Sequence, residues 1–176
     1  MAEGVQVSGT CRPGEAATTR ASRTLRSLVI FVASGAFIGY VPVAPGTAGS
    51  LVGLLLVRFA LASFWRHSPT EFVMLFAIAF TFACGVAGYA EKILAKPDSS
   101  LIVLDEIFGM VATMFGNPSG WKWLATGFTL FRIFDIIKPW PSSSLDRMKG
   151  GTGVMLDDLA AAFYANVTLR VLRQIA

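Results

Sequence analysis

Histidine is almost missing from this sequence. His67, in the connecting stretch FWRHSPT, is the only one among 176 residues, which removes most chemistry that runs through an imidazole. Cysteine is nearly as scarce: Cys11 stands in a polar stretch and Cys84 in an apolar run. Neither suggests a disulfide framework or a metal knuckle. Charge is short as well. Charged residues make up 15% of the chain, against roughly 25% in soluble domains. The Lys and Arg residues form no stripe interleaved with aromatics, so the net charge of +4 points to anionic lipid headgroups and away from nucleic acid. No stretch alternates apolar and polar residues as a half-buried strand does.

What fills the space is apolar. Hydrophobic residues are 54% of the chain and the mean hydropathy is +0.61. A domain of this size has too much surface for its volume to hide that area from water, so the composition places it in a membrane. Residues 1–21 are polar, lack apolar periodicity and lack the pattern of a signal peptide, and read as a flexible N-terminal tail. Residues 22–176 form the membrane domain. Ser27 to Val57 carries no charge, and Pro42 and Pro45 divide it. That predicts helices over about 24–39 and 48–64, each short for a full span. GAFIG and GSLVG within them are small-xxx-small patterns that permit close helix contact. Phe72 to Ala90, uncharged between Glu71 and Glu91, is the one clean membrane-crossing helix. Further helices are expected over about 101–115, 121–137 and 154–173, punctuated by GNPSG, by Pro139 and Pro141, and by KGGTG. The fold class expected is all-α, a membrane-embedded bundle of about six helices. The basic flank at Arg20, Arg23 and Arg26 and the Lys138–Lys149 loop place their common face in the cytoplasm.

Six of the eleven acidic residues lie between 105 and 158, where the helices are otherwise apolar. Asp105 and Glu106, in IVLDEIFGM, satisfy a helix macrodipole if they fall in the first turn, but ionisable groups inside membrane helices usually mark function. Arg132, Asp135 and Lys138, each three residues from the next, can share one helix face. They read either as a structural ion pair or as a site for both a metal and a phosphate. Asp146 and Arg147 follow the prolines, and Asp157 and Asp158 come early in the last helix, after the GGTG turn. Carboxylates in that number are hard oxygen ligands suited to Mg²⁺, from some of Asp105, Glu106, Asp135, Asp157 and Asp158. Arg132, Lys138 and Arg147 offer cations for a phosphate. In APGTAGSLVG, Thr47 or Ser50 caps the helix that follows, or its free N–H groups receive phosphate; the lysine of a P-loop is missing. Carboxylates, cations and a membrane body together suggest phosphoryl chemistry on a lipid. With no histidine at hand, an Asp either orients water or attacks phosphorus itself; Asp105, Glu106, Arg132, Asp135, Lys138, Asp146 and Asp158 are the candidate catalytic residues.

Other phosphatase patterns do not fit. NPSGW has Trp121 where a PSGH box needs histidine, the adjacent Asp157–Asp158 pair is no DxD, and the CDP-alcohol phosphotransferase pattern is absent. PGTAGS, LDEIFGM, FRIFDIIKPWP, LDR and GGTGVMLDD, in this order, resemble the phosphatidylglycerophosphatase A family over about residues 25–175. The resemblance implies an all-helical bundle and a Mg²⁺-dependent phosphatase that converts phosphatidylglycerophosphate to phosphatidylglycerol. It also implies a multi-pass protein of the bacterial inner membrane. Ser142, where many relatives have isoleucine, is the one departure seen beside these motifs. The competing reading is a transporter or cation-binding membrane protein that uses the same carboxylates as a path. That reading needs charges near mid-span or an inverted repeat, and the charges here lie at helix starts and in loops.

Overall fold

The computed structural model describes residues 13–96, 99–145, 148 and 150–175, with side chains from residue 22 onward. Asp146, Arg147, Lys149 and residues 1–12 lie outside the described residues. Among the described residues there is helix and no strand.

Helix α1 (Pro13–Ala33) begins earlier than its apolar run, inside the stretch read as a tail. A proline in the first helical turn costs no hydrogen bond. It ends where Gly35, Ala36 and Phe37 take positive φ, and a short 3₁₀ turn over Ile38–Tyr40 follows. Pro45 then opens α2 (Pro45–Leu56) at a position where its missing N–H is harmless. A π-helical turn over Val57–Leu61 joins α2 to α3 (Ala62–His67) without a break. The continuous helix Pro45–His67 has 23 residues, and α4 (Pro69–Leu94) has 26. Both are long and apolar enough to cross a membrane, which corrects the expectation of a short second helix and of a single clean span. The helix continues past Arg58 because the guanidinium lies over the rings of Phe59 and Trp121, 5.4 and 5.7 Å from their centroids.

The rest of the chain is α5 (Leu104–Met114), α6 (Trp121–Ile137), the single turn α7 (Ser142–Leu145) and α8 (Gly151–Ile175). Helix α5 lies at the centre, against α2, α6 and α8. Small residues let these helices approach it. A Cβ on Gly53 would stand 2.7 Å from the Ile107 carbonyl oxygen, and one on Gly109 would stand 2.6 Å from the Phe131 ring. GSLVG therefore makes the close contact expected of it. GAFIG does so too, from a turn and not from a helix: a Cβ on Gly39 would fall on the Leu101 carbonyl. Gly53→Ala must push backbone from backbone and should destabilise the protein by about 1–3 kcal/mol, read as a lower midpoint in thermal unfolding in detergent micelles.

Register between α5 and α8 is set at the far end of the pair. Asn166 Nδ2 lies 3.2, 2.8 and 2.9 Å from the carbonyl oxygens of Ala112, Thr113 and Phe115, and Arg170 donates to the last of these at 3.0 Å. The carbonyls of Thr113 and Phe115 are left without helical partners at the end of α5, while that of Ala112 also accepts the Phe115 N–H at 3.2 Å. Eight residues separate Asp105 from Thr113, and eight separate Asp158 from Asn166, about 12 Å in each helix at 1.5 Å per residue. The clamp at one end thus brings Asp105 and Asp158 to the same height at the other.

Candidate active site

The first turns of α5 and α2 meet α8 there, two turns in from its own start. Helix α5 contributes Asp105 and Glu106 from its first turn, α8 contributes Asp158, and α2 contributes its N-terminal turn. Carboxylate oxygens of Asp105, Glu106 and Asp158 all lie within 4.8 Å of one another. Asp105 and Asp158 are buried, at 7% and 6% exposure. One oxygen on each acid, Asp105 Oδ1, Glu106 Oε2 and Asp158 Oδ2, is buried without a hydrogen-bond partner. The Glu106 carboxylate sits against Gly46, where a Cβ would collide with it. Glycine at 46 thus brings the N-terminus of α2 up to the acids.

Burial pushes the Asp105 carboxyl well above the ordinary range, helped by Glu106 and then Asp158. Burial does the same to Asp158, with Asp135 and Glu106 adding to it. Both residues lie in helices outside the two candidate spans. Like charges held this close out of water call for a positive partner.

The cations stand at the edge. Arg132 Nη1 lies 3.0 Å from Asp135 Oδ2, as a pair one turn apart on α6. That nitrogen is nevertheless without an aligned hydrogen bond, so the contact is an ion pair whose donor is not used up. Lys138 caps the C-terminus of α6, and its Nζ donates to Asp157 Oδ2 at 2.6 Å. Asp157 Oδ1 accepts the Asp158 backbone N–H at 3.0 Å. Ser50 is buried and donates to the Gly46 carbonyl at 3.0 Å, a bond within its own helix. Thr47 is half-buried in the first turn of α2.

Of the residues singled out in the sequence, the structure brings Asp105, Glu106 and Asp158 into one group, with Asp135 next to Asp158. Asp157 turns to Lys138, and Ser50 turns to its own helix. Asp146 and Arg147 are outside the described residues. Sequence reasoning missed Gly46 and Asn166. An amide in the middle of the apolar stretch AAAFYANV was a legible signal for the latter; nothing local marked the former.

Comparison with known proteins identifies the family. The family model described as phosphatidylglycerophosphatase A matches residues 31–173. A phosphatidylglycerophosphatase A of Haemophilus influenzae is 32% identical over 148 residues, 83% of this chain and 89% of the relative. One of Escherichia coli K12 is 36% identical over 126 residues, 70% of each chain. A Bacteroides thetaiotaomicron protein provisionally named a phosphatidylinositol-3-phosphatase is 34% identical over 151 residues, 83% of this chain and 94% of the relative. No solved structure matches. With a family model matching residues 31–173 and relatives 32% and 36% identical over most of its length, the chain belongs to the phosphatidylglycerophosphatase A family.

Proposed function

We propose that this protein hydrolyses the terminal phosphomonoester of phosphatidylglycerophosphate, releasing phosphatidylglycerol and inorganic phosphate, with Mg²⁺ held by Asp105, Glu106 and Asp158. The observation that carries the reading is the buried group of three carboxylates, each with an oxygen that no protein donor reaches. Carboxylate oxygens in a compact group are the donor set of a hard divalent cation. When bound, the ion would act as a Lewis acid on the phosphate oxygens.

This chain's own residues supply the rest. Arg132, tethered by Asp135 at 3.0 Å, offers a planar guanidinium to the charge that spreads over the transferring phosphoryl group. Thr47 and the first N–H groups of α2 face an anion as a helix N-terminus does. Hydrolysis places the oxygen of water on phosphorus, and the glycerol oxygen leaves with a proton. Some group must take the proton of that water. His67 closes α3, 21 residues along the continuous helix from Gly46, roughly 30 Å away, so a carboxylate of the site takes that role. Asp146 and Arg147, from the LDR motif, belong to the same proposal on sequence alone. The membrane proposed is the bacterial inner membrane, with the site at headgroup depth on the cytoplasmic side.

The names of the relatives differ in headgroup, and that sets the test. Purified protein in mixed micelles should release phosphate from phosphatidylglycerophosphate at least tenfold faster, by kcat/KM, than from phosphatidylinositol 3-phosphate or phosphatidic acid. A faster rate on phosphatidylinositol 3-phosphate would move the assignment to that lipid.

A further inference from the structure

The adjacent acids Asp157 and Asp158 do different work. Resting on the phosphatase reading above, we propose that Asp157 is a positioning residue and not a metal ligand. Its carboxylate holds the Lys138 ammonium beside the carboxylate group, where Lys138 meets the substrate phosphate.

Both oxygens of Asp157 are committed within the protein. Oδ2 accepts from Lys138 Nζ at 2.6 Å and Oδ1 accepts from the Asp158 N–H at 3.0 Å. Asp158, the next residue, instead keeps an oxygen without a partner. The exposure of the pair is uneven: the Lys138 side chain is 32% exposed and that of Asp157 only 4%. A buried acid thus holds an ammonium that stays partly exposed. The segment that carries Lys138 is tied to α8 twice more. Ser142 Oγ donates to the Asp157 carbonyl at 3.1 Å, and the Tyr164 hydroxyl donates to the Trp140 carbonyl at 2.7 Å.

The backbone points the same way. Lys138 has φ +47° and ψ 62° at the end of α6, a left-handed position where helices usually place glycine. A Cβ is strained there. Lysine in that place sets its side chain on Asp157, from a position that backbone preference alone would give to glycine. Strain of this kind is concentrated at functional sites.

The test uses purified full-length protein in detergent. Mn²⁺ alone is the binding probe, followed by titration calorimetry, and kcat/KM on phosphatidylglycerophosphate is the second readout. Asp157→Asn should keep the Mn²⁺ dissociation constant within about threefold of wild type. It should lower kcat/KM on the order of fiftyfold, as Lys138→Met does, and the double variant should be no worse than Lys138→Met, because residues acting as a unit are not additive. Asp157→Glu, which keeps the anion, should recover part of the loss. An Asp157→Asn protein that loses Mn²⁺ affinity tenfold or more, as Asp158→Asn should, would make Asp157 a ligand and overturn the proposal. Losses that multiply in the double variant would overturn it as well. Should Asp157→Asn fail to fold, the double variant, with both charges gone, decides by its Mn²⁺ affinity on the same threefold and tenfold limits. Wild type that neither binds Mn²⁺ nor releases phosphate defeats the phosphatase reading itself, and this proposal with it.

Discussion

Asp105→Asn and Asp158→Asn should each lower phosphate release on the order of a thousandfold while the helical signal in circular dichroism stays as in wild type. Each change keeps the shape of the side chain and removes one of three carboxylates whose oxygens lie within 4.8 Å of one another. The fold should survive because one oxygen of each carboxylate, Asp105 Oδ1 and Asp158 Oδ2, is a buried atom without a hydrogen-bond partner. Register between α5 and α8 comes from Asn166 at the other end. Near-wild-type rates in both variants would remove the carboxylate group from the chemistry. Loss of helix in both would show that these acids are structural.

The second large effect is on stability. Raising Mg²⁺ to about a hundred times its dissociation constant should stabilise the wild type by about 2.7 kcal/mol, a rise of roughly 5–10 °C in thermal midpoint for a chain of this length. Asp158→Asn should behave in the opposite way. Its metal-free form should unfold at a higher temperature than metal-free wild type, because a buried like charge is gone, and Mg²⁺ should move it little. The sign of the pH dependence follows from the same group. Asp105 and Asp158 are raised above the ordinary carboxyl range, chiefly by burial and then by their acidic neighbours. A carboxyl that binds its proton more tightly in the folded state favours the fold while protonated. Metal-free protein should therefore lose stability as pH rises from the ordinary Asp range into the raised one. Mg²⁺ stands in for those protons, so the loss should shrink when the ion is added. A thermal midpoint indifferent to Mg²⁺ in wild type would contradict this coupling between the ion and the buried acids.

Much of this architecture could be read from the residues. Helix α6 has the expected bounds because GNPSG opens it and Pro139 closes it, and prolines and glycines act locally. The acids in otherwise apolar helices were visible for the same reason: each breaks the composition of its own segment. The sequence places the second helix over about 48–64, with Arg58 inside it and no partner for that charge in view. Here Phe59 and Trp121 receive it and the helix runs on to His67. Trp121 is 63 residues away in the chain, and no local pattern announces such a partner. The same limit applied to Asp157. Adjacent aspartates look equivalent in a sequence, and only the fold, by setting Lys138 from 19 residues upstream on one of them, separates their tasks. Glu106 against Gly46 is the third case: PGTAGS showed a helix start, and what that start would face depended on α2 and α5 lying side by side.

The most direct test needs only wild-type protein, its lipid and a chelator. Purified protein in mixed micelles with phosphatidylglycerophosphate should release inorganic phosphate with Mg²⁺ present, stop when the ion is chelated, and resume when Mg²⁺ is restored in excess. Phosphate release at an unchanged rate through the chelation step would contradict the account, since the three carboxylates would then have no cation to hold for the reaction.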